Sequence, residues 1–444
     1  MKKETKWLVG IGAALLASST FLYPKQKMKQ KGQVLQEIKP KEPELEKSKE
    51  KVAIYTERDQ ALQLRLEAIR MAKEEIKVTQ YAIESDESGD VFAQALLEAA
   101  QRGVQVKLLC NGLTYNWKHS QKYKESALLN EPNFQISVYG GLRRLRPWEI
   151  NNVLHDKLLL VDHRLAISSG RNVGNRFLWP NIEGKTKDMD VIIYTDDIDA
   201  PLIQKMEEYF NQLWNAPFVT RKKLHSKKKG TQAQERFLPK AKQATKEYAN
   251  QIQGQSLALS FYPVEGVGFW HNPAHENIKS PWIAQQFLSL LATGKVTWIQ
   301  TPYFVWHKTM RKGLENLRRY PTKVMTNSVA TSPNFFAYSC YLRQKTWDEQ
   351  YGEMVEYHGQ GSLHHKGFLY GEKGVGIGSY NLDCRSTFLD TENLVLLQSK
   401  ELHDQLQAQI LAYQAEDLPA KNVQWKQKVM EAMGRIVYPF YDLT

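Results

Sequence analysis

The chain has 444 residues, 42% of them hydrophobic and 24% charged, and 60 Lys/Arg against 48 Asp/Glu leave a formal charge of +12 at pH 7. That is enough apolar material for two substantial cores in two or three domains, while three widely spaced cysteines, Cys110, Cys340 and Cys384, exclude a disulfide framework or a cysteine-built zinc site. The basicity is concentrated in residues 1–51, net +6, and 221–246, net +9, leaving −3 elsewhere, which argues against a long groove tracking a nucleic-acid backbone and fits docking on anionic headgroups.

Residues 7–23, bounded by Trp7 and Tyr23, carry no charge and sit at the short limit for a membrane-spanning helix. Residues 1–23 therefore read as an N-terminal anchor in preference to a cleaved signal, with aromatic rings at both edges. Lysines on both sides leave its orientation open. Residues 24–51, rich in Lys, Glu, Gln and Pro, read as a charged flexible tether.

From there strand and helix signals alternate. Val52–Tyr55, Ile76–Ile83, Val104–Leu109, Ile136–Tyr139, Lys157–Val161 and Val191–Tyr194 are short runs rich in branched residues, and Ala61–Lys73, Phe92–Arg102 and Ala200–Trp214 have helical spacing. Arg143, Arg144, Arg146 and Trp148 could grip a phosphate or form an exposed loop. Residues 221–250 form a basic linker. His271 and His275 have the i, i+4 spacing of a metal pair, but Pro273 between them interrupts a helix, so they read as loop residues. The order then repeats: a helix at Ile283–Ala292, strands at Val296–Gln300, Lys323–Thr326, Lys366–Tyr370, Gly376–Ser379 and Asn393–Leu397, and a helix at Leu402–Glu416. The prediction is two α/β halves, 52–220 and 251–420, with a C-terminal segment, 421–444, that packs on the body.

One composite pattern occurs in each half. His155, Lys157 and Asp162 are followed by Ser169-Gly170-Arg171-Asn172; His364 and Lys366 are followed by Gly378-Ser379-Tyr380-Asn381, and His to Asn is 17 residues in both. A lone His-x-Lys beside apolar residues is usually a strand-end histidine; four matched positions recurring at one spacing point instead to a duplicated site.

At these residues the chain resembles the phospholipase D superfamily, and Ser168–Gly174, Gly378–Ser386, Thr301–Val305 and Thr326–Ser328 resemble segments of bacterial cardiolipin synthases. The likeness runs from about residue 52 to 444, strong at both motifs and loose over 221–280. The second copy departs from the signature at Gly371, where the family has Asp. The resemblance implies two phospholipase D-like α/β sandwich halves related by a pseudo-two-fold axis, with His155, Lys157, Asn172, His364, Lys366 and Asn381 lining one site. It implies that Asp162 is a scaffold residue, and that an acid downstream of each motif fixes an imidazole tautomer. Glu392 suits this role for one half. Asp190 suits it for the other, with Asp188 as its competitor.

The chemistry follows from the residue types. A phosphodiester needs a nucleophile at phosphorus, an acid for the leaving oxygen and donors for the equatorial oxygens. One histidine, taken as His155 because its copy is intact, attacks; the other protonates the leaving alcohol and then deprotonates the incoming hydroxyl. The two lysines and two asparagines hold the oxygens, with the hydroxyls of Ser169 and Ser379 as further donors. No metal or organic cofactor is implied. The expectation is a cardiolipin synthase-like phosphatidyltransferase at the bacterial cell membrane, with anionic phospholipids as partners. Its alternatives are a phospholipase D-type hydrolase, a nuclease, against which two motifs in one chain count, and a lipid-binding pseudoenzyme.

Overall fold

The computed structural model describes residues 22–116, 119–141, 147–183, 186–315, 322–416, 418 and 423–443. The expected N-terminal anchor, but for its last two residues, and Arg143, Arg144 and Arg146 lie outside the described residues. Among the described residues no helix is long and apolar enough to cross a membrane.

Two mixed sheets form the body. In the first, the strands run in the order Val219–Arg221, Phe134–Tyr139, Gln105–Asn111, Glu75–Gln80, Leu158–Val161, Leu165–Ser169, Asp190–Tyr194, Lys51–Tyr55 and Tyr262–Pro263. In the second, the order is Glu46–Lys47, Gly266–His271, Asn393–Gln398, Gly374–Gly378, Gly367–Tyr370, Val296–Gln300, Lys323–Asn327 and Glu353–Tyr357. Read from opposite ends, seven consecutive strands match between the sheets, so the sequence repeat is a repeat of topology.

The central strands are largely apolar because both faces of each sheet are covered. Leu159, Val161 and Ile192 face an outer core under the helices Ala61–Met71 and Glu87–Gln101, while Leu158, Leu160, Val191 and Ile193 face inward. In the other half Phe368, Leu394 and Leu396 face out, and Leu369, Val395 and Leu397 face in. The inward residues of both sheets belong to one core. Two helices, Pro201–Trp214 and Lys400–Ala415, enter it through Leu202, Met206, Phe210 and Leu213, and through Leu402, Leu406 and Ile410.

Three expectations need correction. The segment 24–51 is not a free tether: Met28 and Leu35 are fully buried in the second half, Lys31 donates to the carbonyl of Ile278, and Glu46–Lys47 form an edge strand of the second sheet. The basic linker is for the most part a helix, Lys227–Gln251, whose Ala233, Phe237, Ala241, Ala244 and Tyr248 pack into the first half. His271 ends a strand and stacks on Tyr209 with ring centroids 4.2 Å apart, while His275 is exposed in the following loop. The C-terminal helix, Val423–Val437, buries Met430 and Gly434 against the helix Phe335–Asp348.

Candidate active site

Two short parallel ladders join the halves. Val153–Leu154 pairs with Asp390–Thr391, and Ser362–Leu363 pairs with Thr186–Lys187. Each ladder ends on a histidine from one half and an acid from the other. The His155 N–H donates to the Thr391 carbonyl at 3.2 Å, and the His364 N–H to the Lys187 carbonyl at 2.7 Å. The next residues are Glu392 and Asp188. Their carboxylates meet the imidazoles: His155 Nδ1 lies 2.8 Å from Glu392 Oε1, and His364 Nδ1 lies 2.5 Å from Asp188 Oδ2. The acids are thus exchanged between the halves.

Asp188, not Asp190, takes this place in the first half. Asp190 is buried between two guanidiniums, 2.6 Å from Arg65 Nη2 and 3.0 Å from Arg171 Nε. Burial works to raise its pKa, but Arg65 and Arg171 overcome that and hold it below the usual carboxylate range. Strand alternation explains the difference. Asp188 precedes the strand and sits at the ladder end, whereas Asp190 opens the strand beside Ser169 and faces the outer layer. Ser169 follows it: its hydroxyl oxygen accepts from Arg65 and from the Arg171 N–H, so it is not aimed between the histidines. Ser379, one repeat position later, does face the site's acid. Its oxygen accepts from the Asn393 N–H at 3.1 Å and its hydroxyl donates to Glu392. Ser386 Oγ also donates to Glu392, at 2.6 Å. At the Gly170 position that matches Ser379, a Cβ would lie 2.3 Å from Asp188 Oδ1, so only glycine leaves room for that carboxylate.

The imidazoles are enclosed. Tyr81 packs edge-on against His155 at 5.0 Å, and Phe177 against His364 at 5.2 Å. Burial, reinforced by Lys157 at His155 and by Lys366 and Lys157 at His364, holds both pKa values well below the ordinary range and keeps both rings neutral. Burial pushes Glu392 up, yet Ser379, Ser386 and His155 converge on it, and three donors suit the anion. A neutral ring with Nδ1–H on a carboxylate presents its Nε2 lone pair away from that acid.

Lys157 and Lys366 each donate to the backbone carbonyl two residues earlier, of His155 and His364 respectively. Burial lowers Lys157 to about 8 and Lys366 to about 7. The amide oxygens of Asn172 and Asn381 are buried with no hydrogen bond among the described residues. The structure brings His155, Lys157, His364 and Lys366 into one electrostatic neighbourhood, with Glu392 and Asp188 on the imidazoles. Asp162 is turned away, accepting from the N–H groups of Lys73, Glu74 and Glu75 at 2.7–2.9 Å.

Sequence reasoning overlooked a buried polar lock at the seam. Asp156, directly after His155, accepts from Asn393 Nδ2 at 2.6 Å and from the Tyr209 hydroxyl at 3.0 Å, and Asn393 Oδ1 accepts from Ser168 at 2.9 Å. The available signal was position: Asp156 and Asn393 each stand one residue past the ladder-end pair.

A family model described as "Cardiolipin synthase, PLD-like domain" matches residues 66–214 and 289–413. Cardiolipin synthase C of Escherichia coli K12 is 25% identical over 391 residues, covering 77% of this chain and 80% of that protein. A cardiolipin synthase of Oceanobacillus iheyensis is 24% identical over 361 residues, covering 80% and 67%. Among solved structures, the phosphatidylserine synthase of Haemophilus influenzae Rd KW20 superposes with a TM-score of 0.62 at 16% identity, over 94% of this chain and 100% of that one.

Proposed function

Because the chain belongs to the cardiolipin synthase family of phospholipase D-like enzymes, we propose that it is a phospholipid phosphatidyltransferase that makes cardiolipin, its two halves related by a pseudo-two-fold axis through the site. The observation that carries this reading is the reciprocal pairing of His155 with Glu392 and of His364 with Asp188. It gives two oriented imidazoles for one phosphodiester.

His155 Nε2 attacks phosphorus, forming a P–N bond as the P–O bond to the leaving alcohol breaks, and His364 supplies that alcohol's proton. The bound phosphodiester anion counters the lysine charges that reinforce burial in holding the free imidazoles neutral, which lets His364 carry the proton it gives up. A hydroxyl of phosphatidylglycerol then loses its proton to His364 and attacks phosphorus, releasing His155. Lys157, Lys366, Asn172 and Asn381 hold the equatorial oxygens in an enclosed site, where such donors act most strongly. Glu392 and Asp188 act as positioning residues, and Ser379 acts through Glu392. The membrane surface is the place of work, since both donor and acceptor are lipids.

The test incubates the detergent-solubilised chain with phosphatidylglycerol, alone and mixed with phosphatidylethanolamine, and reads the products by mass spectrometry. Cardiolipin is expected, with loss of at least about a thousandfold in His155→Ala and His364→Ala. Phosphatidic acid as the main product would make the enzyme a hydrolase. Unchanged lipids would overturn the reading.

A further inference from the structure

The outer side of the C-terminal helix is apolar, and among the described residues it is left exposed. Trp425, Val429, Ala432 and Ile436 recur at intervals of four, three and four residues, which at 3.6 residues per turn is a single stripe. It is the side opposite Met430 and Gly434, which the helix buries. Trp425 is 62% exposed and Ile436 74%, and Phe440 in the following turn is 58% exposed. Phe335 and Phe336, also exposed, open the neighbouring helix, and Lys426 lies 5.1 Å over the Phe335 ring. A helix that buries one face and leaves large apolar and aromatic groups along the other has a second partner to satisfy.

Three observations identify that partner. First, the stripe is edged by exposed Lys428 and Arg435, and the stretch from Leu22 to Lys31 adds four lysines and no acid. This combination of aromatic and basic groups matches the interface of an anionic bilayer. Second, Lys25 donates to the Pro439 carbonyl at 3.0 Å, so exposed Leu22 and Tyr23, where the uncharged segment 7–23 ends, stand beside the end of the same helix. Third, the patch lies toward the site end of the second sheet. Phe335 follows eight residues after Asn327, whose amide clamps both the N–H and the carbonyl of Leu363, the residue before His364.

We propose that Trp425, Val429, Ile436 and Phe440, with Phe335 and Phe336, form an interfacial face that lies in the headgroup region of an anionic lipid bilayer, the helix Val423–Val437 resting parallel to the membrane. This face is separate from any spanning segment, and the proposal does not rest on the reaction assigned above.

The three native cysteines are buried, so a nitroxide can be attached to the full-length chain at Ile436→Cys, with Ile198→Cys as the control. Ile198 is exposed and follows the strand Asp190–Tyr194 as it leaves the seam. The labelled chains are reconstituted into vesicles of equal parts phosphatidylglycerol and phosphatidylcholine. Collisions with oxygen, which concentrates in lipid, and with a water-soluble nickel chelate are then measured. The expected result is a severalfold rise in the oxygen-to-nickel ratio at 436 relative to 198. An aqueous ratio at 436 equal to that at 198 would overturn the proposal. Spin–spin broadening at 436 would overturn it too, by showing that a second copy of the chain covers the stripe.

Discussion

Asp162 and Gly371 occupy the same turn of the two halves and stabilise it by different means. Both have positive φ, +50° and +56°, and the N–H of each donates across to the matching strand, at Glu75 and Lys295. Asp162 tolerates that conformation poorly but caps three N–H groups; Gly371 adopts it freely, and Thr293 Oγ1 takes the Lys295 N–H at 3.2 Å. Asp162→Ala should therefore cost about 1 kcal/mol, because two of the released N–H groups can reach water, and leave turnover per folded molecule unchanged. Urea unfolding beside a specific-activity assay checks both. The lysines predict a pH dependence. Each is cationic below its pKa, so phosphate binding is lost as pH rises through about 7 for Lys366 and about 8 for Lys157. The free-enzyme parameter kcat/KM should fall across that range, and Lys366→Arg, whose charge does not titrate there, should move the fall upward. The repeat spacing made the two histidines and two lysines legible, since in each half they stand between matched strands, Val153–Leu154 and Leu158–Val161 in one and Ser362–Leu363 and Gly367–Tyr370 in the other. The choice of Asp188 over Asp190 was not, because they stand only two residues apart at no fixed spacing from the motif, and only the ladder between halves decides which one meets an imidazole.

At the scale of elements, the strands expected from the sequence were readable because most are short runs dominated by branched and apolar residues, as between two covered faces. The helix Lys227–Gln251 was not, for its apolar stripe is built mainly from alanines at 233, 241 and 244 and is hidden among lysines. Phe237, fully buried between the helices of the first half, is its one large anchor apart from Tyr248. Phe237→Ala should destabilise the chain by about 3–5 kcal/mol, where a solvated linker would lose almost nothing. Thermal melting of the variant beside Lys240→Ala, on the same helix, separates these outcomes. The segment 24–51 escaped for a related reason. Its contacts, Met28 and Leu35 in the second half's core, are too sparse to mark a domain, yet they fix where the chain enters the body.

The molecule as a whole is two repeats that cannot be taken apart without exposing what they share. The inner core is lined from both sheets, with Val52, Leu158 and Val191 from one half and Val267, Leu369 and Val395 from the other. Asp156 in the first half is buried and draws a donor from Asn393 in the second, so separation would leave a charged group short of a partner in an apolar surface. The edges are crossed as well: Glu46–Lys47 adds to the second sheet and Tyr262–Pro263 to the first. Two independent domains of about 200 residues would melt separately, each with its own enthalpy. A core common to both makes the unfolding of one remove apolar cover from the other, which couples the transitions. Differential scanning calorimetry should accordingly give one transition for the body, with a van't Hoff enthalpy close to the calorimetric one. In Asn393→Ala that single peak should move down in temperature without splitting, because the loss is shared by both halves. Two resolved peaks in the unaltered chain would mean that the ladders and the common core hold the halves in register without making them one folding unit.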